Sequence, residues 1–198
     1  PRNTAPYGQE ITECRLETIH AQLIESSDYE ARRAQIEADN ARRTFTKRGL
    51  AFQPVKFGIS FTKSILNQAG AFVLVYTDGT VQLNHGGTEM GQGLHTKMIA
   101  VCAHELGVNP EAIRVMHTAT DKVPNTSATA ASSGSDLNGQ AVAAAARELR
   151  ARMAPVAADL LGVSEAELEF CAGEVRSEGA APLSFAALAT ECWVRQIS

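Results

Sequence analysis

A chain of 198 residues with 44% apolar content is long enough for one large domain or two small ones with a buried core. Its formal net charge of -4 argues against a nucleic-acid role, which normally shows as a basic face. Arg32-Arg33 and Arg42-Arg43 lie among Glu30, Glu37 and Asp39 and read as a solvated helix face.

No apolar run is long enough to cross a bilayer and no signal peptide opens the chain, so no membrane role is expected. The start Pro1-Arg2-Asn3-Thr4 has no initiator Met, which suits a processed product or an excised piece. Cys14, Cys102, Cys171 and Cys192 form no C-x-x-C pair, so no local zinc or iron–sulfur site is expected. Reduced, largely buried thiols suit a cytoplasmic protein.

In chain order, residues 1–50 are expected to form an N-terminal helical segment. Ile11, Cys14, Ile19 and Leu23 recur near the helical period and predict a helix over 11–24. Ser27 and Glu30 have capping-box spacing for a second helix that runs towards Lys47 and stops near Gly49. Residues 51–198 change character and form the α+β part. Stretches 52–62 and 71–84 are rich in β-branched and aromatic residues, and Asp78-Gly79 marks a hairpin turn within the second.

A helix is predicted over 94–106, with Leu94, Met98, Val101, Cys102 and Leu106 on one face. A strand over 112–118, a loop of very small residues over 125–135 and an Ala-rich helix over 137–161 follow. Leu106-Gly107-Val108-Asn109 before Ile113 and Val115 is echoed by Leu161-Gly162-Val163-Ser164 before Leu168 and Phe170. Each reads as a helix end, a glycine cap, a turn and a strand. A short helix over 183–193 closes the chain. The expected fold class is α+β: an antiparallel hairpin and short strands covered by helices, two helix–turn–strand units, and a polar N-terminal helical hairpin.

Three segments bear chemistry. Gly86-Gly87-Thr88-Glu89-Met90-Gly91-Gln92-Gly93 lies between a strand and a helix, where unpaired backbone N–H groups can meet an anion. It lacks the Lys-Ser/Thr ending of a phosphate loop, so a tight turn and a ligand cradle both remain open. Gln92, a long amide among glycines, favours the cradle. His85, His95 and Lys97 read as structural or solvated, and the two histidines lack the spacing of a metal pair.

The small-residue loop, from Asn125 to Asp136, offers backbone N–H groups and short hydroxyls for a tight polar site; a flexible linker is the alternative. In Lys56-Phe57-Gly58-Ile59-Ser60-Phe61-Thr62, alternation puts Phe57, Ile59 and Phe61 on one strand face, for core packing or, at Phe61, for stacking on a flat ligand. No catalytic carboxylate motif, Ser-His-Asp elbow or activated Cys is visible. The residues offer binding features without a catalyst.

These same segments carry a resemblance. The run from Lys56 to Thr62, then Leu66-Asn67-Gln68-Ala69-Gly70-Ala71, Tyr76-Thr77-Asp78-Gly79 and His85-Gly86-Gly87-Thr88-Glu89-Met90-Gly91-Gln92-Gly93-Leu94-His95-Thr96-Lys97 resembles the xanthine dehydrogenases of the molybdenum hydroxylase family. Val123-Pro124-Asn125-Thr126-Ser127, Thr129-Ala130-Ala131-Ser132 and Asp136-Leu137-Asn138-Gly139-Gln140-Ala141-Val142 continue it. The match is specific over 49–142 and looser over 12–48.

The resemblance implies an internal fragment of the molybdopterin-binding subunit or domain. In that family, oxygen from water enters a C–H position of a purine such as hypoxanthine or xanthine, and electrons leave through the pterin to iron–sulfur clusters and FAD on other domains or subunits. Carried over by position, Met90, Gly91 and Gln92 would contact molybdopterin. Thr129, Ala130, Ala131, Ser132, Ser133 and Gly134 would hold its pterin or phosphate, with the Ala131 backbone nearest the molybdenum. Phe61 would stack edge-on against substrate, Thr62 would sit beside it, and Leu66 would line the pocket entrance.

No catalytic residue is expected in this segment, because the family's base-acting Glu would lie beyond Ser198 and further substrate-binding segments before Pro1. The implied partners are the rest of the molybdopterin-binding subunit, an iron–sulfur/FAD subunit or domain, and a purine, within an oligomeric cytoplasmic enzyme. The isolated chain is expected to be inactive and to retain no cofactor. Alternatives are an aldehyde or N-heteroaromatic hydroxylase, a free-standing binding module for a phosphorylated ligand, or a scaffold whose N-terminal helices dock a partner.

Overall fold

The computed structural model describes residues 3–6, 8–55, 57–123 and 125–197. Pro1, Arg2, Tyr7, Lys56, Pro124 and Ser198 lie outside them. The chain divides into two compact units, Pro1–Phe57 and Gly58–Ser198.

The first unit is polar and helical. Helix α1 spans Leu16–Ser26 and α2 spans Tyr29–Arg42, and neither buries a residue within the chain. The apolar stripe is real but uncovered: Ile19 is 53% exposed and Leu23 43%. The expected capping box at Ser27 and Glu30 does not form. Asp28 takes the N-cap position with φ 53° and accepts no side-chain cap bond. Nor does α2 reach Lys47. It ends at Arg42, where the Asn40 side chain exchanges two hydrogen bonds with the Arg48 backbone, at 2.8 and 2.9 Å, and draws the chain out of the helix.

The second unit is α+β, as expected. Strands β1 (Ala71–Val75) and β2 (Val81–His85) form the antiparallel hairpin. Asp78 shapes its turn by accepting from the Thr80 N–H at 2.9 Å and from the Thr80 hydroxyl at 2.6 Å. After helix α3 (Leu94–Leu106), β3 (Ile113–Val115) returns parallel to β2, giving the order β1-β2-β3. The helix is thus the crossover between parallel neighbours.

Helix α4 spans Gly134–Leu161 and runs on through Pro155. Val142, Ala143, Ala146, Met153 and Ala157 form its buried stripe. Strands β4 (Glu169–Cys171), β5 (Glu174–Arg176) and β6 (Leu183–Ser184) make a second small antiparallel sheet, and α5 (Phe185–Val194) follows. One hydrophobic core, with Leu83, Leu94, Cys102, Leu106, Val142, Val175 and Leu188 fully buried, runs beneath both sheets. A fork of bonds from Arg147 to Glu105, 2.9 and 2.5 Å, joins the two long helices and holds the Glu105 carboxyl below its ordinary pKa.

Both helix–turn–strand units form. Gly107 and Gly162 sit at φ 70° and 68°, each followed by one 3-10 turn and a three-residue strand.

The stretch 52–62 is not a strand. Among its described residues no ladder partner lies alongside, Ser60 has φ 71°, and Phe57 and Ile59 are 67% and 55% exposed, so the expected core face does not exist. A β-rich composition needs a neighbouring strand to become a strand.

Candidate functional site

The loop after β2 folds on itself before α3 begins. The Gln92 amide oxygen accepts from the Met90 N–H at 2.6 Å, and its nitrogen donates to the Thr88 carbonyl at 2.8 Å. One amide proton of Gln92 remains beyond that bond. Glu89 does more. Its carboxylate accepts from the N–H groups of His95 at 3.0 Å, Gly91 at 2.8 Å and Gly93 at 3.0 Å, which holds its pKa down at about 2. The start of α3, expected to be open to an anionic ligand, is therefore occupied by this chain's own carboxylate.

The small-residue loop meets the glycine loop directly. The Thr88 N–H donates to the Thr129 hydroxyl at 2.8 Å. A Cβ on Gly86 would stand 2.3 Å from the Thr126 side chain, so only glycine lets the two loops approach this closely. Ala131 and Ser132 both carry positive φ, 52° and 51°, an unfavourable conformation for residues with side chains. Ser133 is buried, and its hydroxyl donates to the Ala130 carbonyl at 3.0 Å, closing the loop as α4 starts.

A third segment is stapled to this loop. The Ser60 N–H donates to the Ala131 carbonyl at 2.9 Å, and the Ser127 N–H donates to the Gln68 carbonyl at 3.0 Å. The Ser127 hydroxyl donates to the Leu66 carbonyl. Asn67 clamps Phe61 by accepting from its N–H at 2.9 Å and donating to its carbonyl at 2.8 Å. Half-buried Phe61 is thus held one residue from the contact with Ala131.

Between the glycine loop and the start of α4 lies a cavity of about 460 Å³. Seven of the sequence-predicted residues line it: Met90, Gln92, Thr129, Ala130, Ala131, Ser132 and Gly134. Leu94, Lys97 and Ser135 complete the wall. Gly91 and Ser133 are not part of the lining; they shape the two loops from behind. Nor are Phe61, Thr62 and Leu66, which belong to the third segment.

Beneath the glycine loop, the buried His85 ring accepts from the Gly87 N–H at Nδ1, 3.1 Å away, so its other nitrogen carries the proton. Burial and the neighbouring His95, whose ring centre is 5.1 Å away, push the His85 pKa down to about 4. Among the described residues no group of three or more His, Cys, Asp or Glu side chains is placed to hold a metal ion. Sequence reasoning missed Glu89 and Asn67. Glu89 stands five residues before the predicted helix start at Leu94, and an acidic residue ahead of a helix start was the available signal.

Residues 22–198 match the family model of the molybdopterin cofactor-binding domain. The chain belongs to that family. It is 50% identical over 150 residues to a xanthine dehydrogenase of Calliphora vicina, covering 76% of this chain and 11% of that protein. It is 51% identical over 152 residues to a xanthine dehydrogenase of Oryza sativa subsp. japonica, again 76% of this chain and 11% of that protein. The chain therefore spans about a ninth of the length of these relatives.

The solved structure of quinoline 2-oxidoreductase from Pseudomonas putida 86 superposes with a TM-score of 0.78 over 98% of this chain and 25% of that one. At 20% identity this is a likeness of fold alone.

The cavity suits a molybdopterin-type ligand chemically. Its wall offers an amide, three hydroxyls, the small-residue backbone and one ammonium, and no carboxylate faces it among the described lining residues. That donor set fits a polar, anionic group rich in hydrogen-bond acceptors.

Proposed function

We propose that this chain is an internal part of the molybdenum-cofactor subunit of a xanthine dehydrogenase-type hydroxylase. In this reading the polar helical segment 1–50 precedes the α+β part, 51–198. The observation that carries it is the single cavity where the glycine loop and the small-residue loop meet, lined by Met90, Gln92 and the residues from Thr129 to Ser132. Bound there, the molybdenum cofactor would supply the redox centre that lets oxygen from water enter a C–H position of hypoxanthine or xanthine.

The chain's own residues would bind and orient. The spare Gln92 proton and the hydroxyls of Ser132 and Ser135 would donate to the cofactor's polar edge. Glu89 would keep the Met90-Gly91-Gln92 turn in shape. Phe61, clamped by Asn67 and tied through Ser60 to Ala131, would present its ring to a flat purine, with Thr62 beside it and Leu66 near the entrance. The catalytic base, the iron–sulfur clusters and FAD would come from other parts of an oligomeric cytoplasmic enzyme, and purine breakdown would be its role.

The test is a cavity-filling substitution in the parent enzyme. A Cβ at Gly134 would meet only ordinary contacts, 3.6 Å from Leu94 and 3.7 Å from Thr129, so the backbone accommodates a side chain there. Gly134→Leu is expected to fold normally and to lose most of its molybdenum and pterin. Full retention of both would overturn the reading.

A further inference from the structure

We infer that Lys97 is the cationic anchor for a phosphoryl group on the ligand of this cavity. The inference rests on the proposed function above and goes further by naming the residue that supplies the compensating charge. Lys97 is the only ionisable residue among the described residues of the cavity wall. It takes part in no ion pair or side-chain hydrogen bond among the described residues. Its backbone is held in the first turn of α3, where its N–H donates to the Gly93 carbonyl at 3.1 Å, and it follows the buried cavity-wall residue Leu94 by three positions on the same helix face.

The Glu89 carboxylate of the glycine loop forms no ion pair with Lys97. Both oxygens of Glu89 are engaged with the N–H groups of Gly91, Gly93 and His95. That same engagement removes the start of α3 as an anion site, so an anionic ligand must find its positive charge elsewhere in the cavity. Gly134 and Ser135, the first two residues of the 28-residue helix α4, line the same cavity. A cavity wall that combines a lysine, the first residues of a long helix and the Ser132 and Ser135 hydroxyls is a setting for a phosphoryl group rather than a neutral ring.

A phosphoryl group could arrive on the pterin cofactor or as free phosphate, and we assign it to the cofactor. The test uses the parent enzyme carrying wild-type Lys97, Lys97→Met, Lys97→Gln or Lys97→Arg, each checked by thermal melting. Pterin and organic phosphate retained per subunit are followed during incubation at rising salt. Wild-type release is expected to accelerate with salt, because screening weakens the contact. The two neutral variants should release cofactor roughly tenfold faster at low salt, with a flatter salt dependence, and Lys97→Arg should restore retention.

A second arm adds inorganic phosphate to the cofactor-free enzyme and follows it by phosphorus NMR. Neutral variants that retain cofactor like the wild type overturn the inference, whether or not they lose free phosphate binding. A wild-type enzyme devoid of pterin would instead overturn the proposed function, and this inference with it.

Discussion

The Glu89 carboxylate lies 3.0 Å from the backbone nitrogen of His95 and closes the start of α3 from within the glycine loop. With Gly91 and Gly93 it gathers three N–H donors onto one anion, so the loop is pre-shaped before any ligand arrives. The ligand then meets Met90 and Gln92 rather than bare helix amides.

Glu89→Gln should therefore loosen the loop without unfolding the unit. Hydrogen exchange at the Gly91, Gly93 and His95 amides is expected to accelerate at least tenfold, with a melting temperature lower by a few degrees. In the wild type the folded pKa of Glu89 is depressed to about 2, so its contribution is full above the ordinary carboxylate range and is lost as pH falls towards 2. Exchange rates that do not change in the variant would show that the three bonds do not hold the loop.

His85 gives a second pH signature, nearer neutrality. Its folded pKa is lowered from 6.5 to about 4 by burial first and by His95 second. The unfolded chain then binds a proton that the folded chain refuses, so stability is full above about pH 6.5 and falls as pH drops towards 4. The folding constant should change by up to tenfold per pH unit within that window. Nitrogen NMR should find His85 neutral at pH 6 with its proton on Nε2. A protonated His85 at pH 6 would contradict the buried geometry.

Two glycines of the same design should respond differently to alanine. Gly107 and Gly162 both have left-handed φ after a helix, but a Cβ on Gly107 would stand 2.4 Å from the Phe170 backbone, whereas Gly162 faces open space. Gly162→Ala should cost about 1 kcal/mol. Gly107→Ala should cost about 3 kcal/mol, because strain and overlap add. Urea unfolding of both variants measures the difference, and equal losses would show that Phe170 yields freely.

The comparison of these glycines also shows what was legible in the sequence. Periodicity, glycine caps and turn residues are local signals, and they located α3, α4, the β1–β2 hairpin and both helix–turn–strand units. The 52–62 stretch failed because strand formation depends on a partner, and Phe57 and Ile59 found none. At the site, the residues that line the cavity were visible as small-residue runs and a resemblance. The clamps were not. Asn67 on Phe61 and Glu89 on the α3 amides are contacts between side chain and backbone across a folded loop, which no period or spacing of apolar residues encodes.

The Asn67 clamp leads to a prediction about substrate. If the ring of Phe61 orients a flat purine, Phe61→Ala in the parent enzyme should reduce turnover on xanthine roughly tenfold more than turnover on a small aliphatic aldehyde. Equal losses on both substrates would remove the stacking role.

The central claim is that one cavity, between Gln92 and Ser132, receives the molybdenum cofactor. The most direct measurement is a structure of the cofactor-loaded parent enzyme. The account predicts pterin density within about 4 Å of Gln92, Ser132 and Gly134, with the Glu89 bonds to Gly91, Gly93 and His95 intact. Cofactor density elsewhere, with this cavity open to water or filled by another part of the protein, would contradict it.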